Sequence, residues 1–136
     1  MRWLDTNIFL RHLANDDPAK AVACYSLLQR LERGDEEAQT SEAIICEVVF
    51  VLSSRAHYGL PHDEIRDRLA PIIPLRGLKL PNKRVYLVAL DIFAARPSLD
   101  FEDALSVAYM QNEGIAELYS YDRDFDRISG ITRIEP

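Results

Sequence analysis

Short apolar stretches alternate along the chain with longer amphipathic ones, and Gly, Pro or Asp marks most of the breaks. Residues 1–4 read as a very short first strand, after which Thr6 caps a helix running through Leu13. Asp16-Asp17-Pro18 ends that helix and opens the next. Over 18–33, Val22, Tyr25, Leu28 and Leu31 recur at helical spacing, and Gly34 supplies the stop. Residues 37–40 form a second strand. Thr40 or Ser41 then caps a long helix over 42–58, ended by Gly59 and Pro61. Its segment 44–52 is rich in β-branched residues, yet its length, its cap and the flanking Ala43 and Ser53-Ser54-Arg55-Ala56 favour a buried helix. A further helix over 62–73 closes at Pro74, a third strand spans 76–80, and a helix spans 82–96. Asp100 caps a helix over 101–112, with Gly114 just past its end. A strand over 117–121, a short helical turn over 123–128 and a last strand over 132–134 complete the chain. This alternation predicts an α/β fold with a mostly parallel sheet covered by helices. No repeat or linker interrupts it, so residues 1–136 form a single domain.

Composition adds limits. At 136 residues and 48% hydrophobic, the chain is long enough for one real core and too short for two comfortable domains. The first five residues, Met1-Arg2-Trp3-Leu4-Asp5, put a carboxylate where a targeting segment needs an apolar core. No apolar run approaches the roughly 18 residues of a membrane span, so a cytoplasmic protein without a membrane partner is expected. Cys24 and Cys46 lie in separate apolar stretches and read as buried, reduced thiols. His12, His57 and His62 show no metal-binding spacing and read as surface or helix-end residues. The net charge of −6 argues at first sight against a nucleic-acid partner.

The acids carry the candidate chemistry. Asp5 follows the first strand and Asp122 follows the strand over 117–121, and ligands of open parallel sheets bind beyond the carboxyl ends of strands. Each is equally readable as a helix N-cap. Glu47 is the only charge between Ala43 and Ser54, in a helix apolar nearly all round. Burying it calls for an arginine partner or a cation, since neither Lys nor Arg stands three or four residues away. Asp91 shares a stripe with Arg84 and is read as structural. Asp100 and Asp103 suit the start of a helix, but three acids within Asp100-Phe101-Glu102-Asp103 repel one another, and a bound cation would relieve that repulsion.

Asp5-Thr6-Asn7 followed by Leu10-Arg11, the lone Glu47, Asp100-Phe101-Glu102-Asp103-Ala104-Leu105 and Ser120-Tyr121-Asp122-Arg123-Asp124-Phe125 occur in order along the whole chain. Together they resemble the PIN-domain ribonucleases, most closely the toxins of VapC-type toxin–antitoxin pairs. The resemblance implies a Rossmann-like, three-layer fold of about five strands, a Mg²⁺ or Mn²⁺ site and endoribonuclease activity. It also implies a homodimer held inactive by a cognate antitoxin protein. It casts Asp5 and Asp103 as principal metal ligands and Glu47 and Asp122 as completing acids, with Asn7 orienting Asp5 and Ser120 preceding the last acid. The duplicated acids Asp100 and Asp124 leave the ligand choice open.

The chemistry agrees with that assignment. Mg²⁺ takes oxygen ligands and keeps several waters, and a divalent ion activates water toward a phosphodiester. RNA hydrolysis by in-line attack of water is therefore the expected reaction. The cations are 13 Arg and 3 Lys, and Arg11 and Arg123, beside the acids, are the expected RNA contacts. A phosphoacceptor receiver domain would want a lysine near the last strand, and a haloacid-dehalogenase phosphatase would want Asp where Asn7 stands. A PIN-like module that binds RNA or protein without cutting is the remaining alternative. Without the four site acids the balance falls to −2, so the acidic surplus is partly the mark of a metal site and does not exclude RNA.

Overall fold

Very short parallel ladders hold the centre of the fold, seen in a computed structural model that describes residues 1–136. Strand β1 (Arg2–Trp3) pairs in parallel with β2 (Ala38–Gln39), and β2 pairs in parallel with β3 (Leu78–Lys79). Strand β4 (Glu117–Tyr119) pairs in parallel with β5 (Thr132–Ile134). All five expected strands form, all parallel, but as ladders of three and two strands rather than one continuous sheet. Each strand is only two or three residues long, so few backbone bonds fix each pairing. Trp3 of β1 and Tyr119 of β4 stand 55% and 73% exposed, and neither strand buries its aromatic side chain against the other.

Six helices cover the strands: α1 (Thr6–Leu13), α2 (Pro18–Arg33), α3 (Glu42–Ser53), α4 (His62–Leu69), α5 (Lys83–Ala95) and α6 (Phe101–Glu113). The best-marked helix ends form as the sequence implies. Asp17 caps α2 by accepting from the Lys20 amide at 3.2 Å, Pro18 occupies its first turn, and Gly34 ends it at φ +77°. Asp100 caps α6 by accepting from the Asp103 amide at 2.8 Å, and Gly114 ends it at φ +70°.

Two helices stop earlier than their patterns imply. Helix α3 ends at Ser53, because the Ser53 hydroxyl donates to the Phe50 carbonyl and Ser54 turns extended. The Leu60 amide then bonds back to the Leu52 carbonyl, closing a turn through residues 55–58. Helix α4 ends at Leu69 because Pro71 has no N–H to continue it, and the Ile72 and Ile73 amides both fold back onto the Leu69 carbonyl. The periodicity of α2 is also only half a core stripe. Leu28 and Leu31 are buried, while Val22 and Tyr25 face solvent.

The main core joins α1, α3, α4, α5, the last turns of α2 and the first two turns of α6 around β2 and β3. At its centre Phe93 stacks on the His62 ring at 3.7 Å and meets Phe101 edge-on at 5.8 Å. The His62 Nδ1–H donates to the Phe93 carbonyl at 3.0 Å, so His62 is a helix-start residue with a packing task. A second, smaller core of Leu99, Val107, Phe125 and Ile128 supports β4 and β5, and α6 contributes to both. Gly77 lets β3 pass close to the end of α2: a Cβ there would lie 2.1 Å from the Glu36 carbonyl oxygen. Both cysteines are free thiols, Cys24 buried and Cys46 only half-buried. No helix is long and apolar enough to cross a membrane.

Candidate functional site

Asp5 sits at the N-cap of α1 with extended backbone, two residues beyond β1, and its carboxylate makes no capping hydrogen bond. The next residue, Thr6, is buried, and its hydroxyl donates to Glu47 Oε2 at 2.7 Å. That bond ties the start of α1 to the middle of α3 and brings Asp5 and Glu47 into the wall of one cavity of about 530 Å³, beside Asn7 and Arg11.

Glu47 differs from its expected setting. It is exposed, because Ile45, Val48, Val49 and Leu52 form the inward face of α3 while Ala43, Glu47 and Phe50 face outward. Water and Thr6 satisfy its charge, and the buried arginine partner considered from sequence is not needed.

The remaining acids gather at the start of α6. Asp103 lies half-buried in its first turn, and burial, followed by the like charges of Asp100 and Asp122, pushes its carboxyl up to about 6. Asp122 caps the 3₁₀ turn Arg123–Arg127 that follows β4, accepting from the Asp124 amide at 2.9 Å. The Ser120 hydroxyl oxygen accepts from the Asp122 amide at 3.0 Å and fixes the approach to that turn. Cys46, next to Glu47 on α3, has its thiol pushed up to about 11 by burial and then by Glu102, Glu42 and Asp100. Helices α3 and α6 pack against each other, but Asp103 and Asp122 form a group of their own and do not line the cavity that holds Asp5 and Glu47.

The four candidate acids are without ion pairs, unlike several surface carboxylates of this chain. Glu36, Asp16, Glu64 and Asp126 are each in an ion pair with arginine, and none of Asp5, Glu47, Asp103 or Asp122 has one. Asp91 pairs distantly with Arg66, at 3.9 Å, on an exposed face. No three His, Cys, Asp or Glu side chains are drawn tightly enough together to hold a metal by themselves. A hard divalent ion asks less than that, since Mg²⁺ needs one or two carboxylates and completes its shell with water. An oxygen-only set of unpaired carboxylates, with Asp103 pressed by the like charges of Asp100 and Asp122, fits such an ion.

The two candidate RNA contacts fare differently. Arg11 lines the cavity and is paired with Asp16 at 2.9 Å, whereas Arg123 is exposed and acts electrostatically on Asp126. Three residues of the site were not identified from sequence: Thr6, whose position after Asp5 read only as a cap, and His57 and Tyr58, which line the cavity from the turn after α3. The early end of α3 is what delivers that turn, and its only sequence signal is the Ser53-Ser54 pair.

Two relatives, VapC ribonuclease Mb1869c of Mycobacterium bovis and ribonuclease VapC13 of Mycobacterium tuberculosis, are each 26% identical to this chain over 136 residues. The alignments cover 98% of this chain and 99% of each relative. Residues 3–131 match the PIN domain, a span that includes every acid described above, and the chain belongs to the PIN-domain family.

Proposed function

We propose that this protein is a metal-dependent endoribonuclease, the toxin of a VapC-type toxin–antitoxin pair. The observations that support the reading are that Asp5 and Glu47 line one cavity, that Asp122 lies close enough to Asp103 to raise its carboxyl, and that all four acids are without ion pairs. The names of the two relatives support the same activity.

In this reading Asp5 and Asp103 are the principal ligands of Mg²⁺ or Mn²⁺, and Glu47 and Asp122 complete the set directly or through water. Such an ion supplies a water of lowered pKa and offsets charge at the phosphodiester. Glu47 is held by Thr6 through Oε2, which leaves Oε1 to orient a water molecule in the cavity. Asp122 spends Oδ1 on its own turn and keeps Oδ2 free. Ser120 holds that turn in place, and Asn7 lines the wall beside Asp5. Partners in this reading are an RNA substrate, a cognate antitoxin and a second copy of the chain, all in the cytoplasm.

The test is cleavage of structured RNAs in Mg²⁺ and in EDTA by the wild type, Asp5→Asn and Asp103→Asn. Loss of cleavage on chelation and in both variants is the expected result. Cleavage that survives either change overturns the reading, and RNA or partner binding without cleavage assigns a non-catalytic PIN module instead.

A further inference from the structure

We propose that Arg11, oriented by Asp16 and Tyr58, is the phosphate anchor of an RNA subsite beside the acids, a role that rests on the nuclease reading above. Arg11 is the only fixed cation lining the cavity that also holds Asp5 and Glu47. It lies about 9 Å along α1 from Asp5, six residues at 1.5 Å rise each. That separation suits a phosphate flanking the acids rather than the one between them.

The pairing around Arg11 leaves it available for a ligand. Arg11 Nη1–H donates to Asp16 Oδ1 at 2.9 Å, and the Tyr58 hydroxyl donates to Asp16 Oδ2 at 2.6 Å. Asp16 comes from the turn between α1 and α2, and Tyr58 from the turn after α3, so the three side chains clasp two loops beside the cavity that Arg11 and Tyr58 line. A carboxylate with both oxygens free would pair with arginine side-on and consume two of its five N–H donors. Tyr58 occupies the second oxygen and holds Asp16 to a single contact. The guanidinium is thereby steadied at one corner, by Asp16 with the Tyr58 hydroxyl beside it, while the donors outside that corner stay available for bidentate contact with a phosphate. The same two contacts, Tyr58 first and then Arg11, hold the Asp16 carboxyl below its usual range, so it stays ionised while it acts.

Asp16 and Tyr58 are positioning residues, and the sign of their effect separates that role from simple electrostatics. Neutralising an acid near an RNA path tightens binding if the acid merely repels phosphate. Neutralising Asp16 weakens binding if it holds Arg11 in place.

The experiment uses the 136-residue protein and a fluorescein-labelled single-stranded RNA of mixed sequence. Binding is read by anisotropy in EDTA over a salt series, and cleavage is read in Mg²⁺. Arg11→Ala is expected to weaken binding about tenfold and to lower the salt slope by about one. KM should rise and kcat should be largely kept, with Arg11→Lys restoring part of the loss. Asp16→Asn and Tyr58→Phe should each raise KM about threefold, and neither should add to Arg11→Ala in double variants. Tyr58→Phe keeps the ring, and thermal unfolding checks that each variant folds. Wild-type affinity and salt slope in Arg11→Ala, or tighter binding in Asp16→Asn, overturns the anchor even where EDTA-sensitive cleavage upholds the nuclease. Arg11-dependent binding without any cleavage upholds the anchor and overturns the nuclease.

Discussion

Asp103→Asn should make the metal-free protein more stable while removing its cleavage activity. The Asp103 carboxyl is pushed up from an ordinary 3.8 to about 6, by burial first and then by Asp100 and Asp122. A shift of that size corresponds to about 3 kcal/mol if none of it were screened. The side chain is half-buried, so solvent screening brings the figure to roughly 1.5 kcal/mol. Loss of a favourable negative charge in the first turn of α6 takes back about 0.5 kcal/mol, which leaves a net gain of about 1 kcal/mol. The sign follows from linkage. A carboxyl whose folded pKa is raised favours the folded state at low pH, and that advantage is lost as pH climbs from about 4 through about 6. The gain from Asn should therefore appear at pH 7.5 and vanish at pH 4. Thermal unfolding in EDTA reads it as an increase in Tm of about 4 °C at the higher pH. Adding Mg²⁺ should narrow the gap, since only the wild type keeps its full ligand set. A variant no more stable than wild type at pH 7.5, or equally stabilised at both pH values, would refute the repulsion argument.

Thr6→Val keeps the shape of the buried side chain and deletes its bond to Glu47 Oε2; it should cost about 1 kcal/mol in urea unfolding and lower the cleavage rate. Gly77→Ala forces a Cβ to within 2.1 Å of the Glu36 carbonyl, so β3 must shift away from α2. A loss of about 3 kcal/mol is expected, read from the urea midpoint. Cys46, with its thiol pushed up to about 11, should react with iodoacetamide far more slowly at pH 8 than a free thiol. Glu102→Gln should speed that reaction, as followed by mass spectrometry.

The parts of the fold that local chemistry determines were legible in the sequence. Helix α2 carries its own start in Asp17 and Pro18 and its own stop in Gly34, and α6 is likewise bounded by Asp100 and Gly114. Helix α3 was harder because almost every position in it is apolar. Such a run identifies a helix but not its inward face, and so the exposure of Glu47 and Phe50 could not be read from it. The Asp16–Tyr58 bond joins residues 42 apart and depends on α3 ending at Ser53. The division of the strands into two ladders depends on pairings that no two-residue segment specifies.

The acids posed a sharper question, whether each strand-end aspartate caps a helix or serves a site. Asp5, Asp100 and Asp122 all occupy N-cap positions, yet they use them differently. Asp100 and Asp122 each give one oxygen to a backbone amide, and Asp5 gives none. A carboxylate has two oxygens and about four lone-pair directions, so capping by Oδ1 fixes the side chain while Oδ2 remains available. Capping and ligation are thus compatible at Asp122, where the amide bond fixes the acid at no expense to its second oxygen. At Asp5 the cap position contributes backbone direction alone, and the whole carboxylate is free for the cavity. The surplus of acids at helix starts is what a fold needs if those starts are to orient charge as well as begin helices.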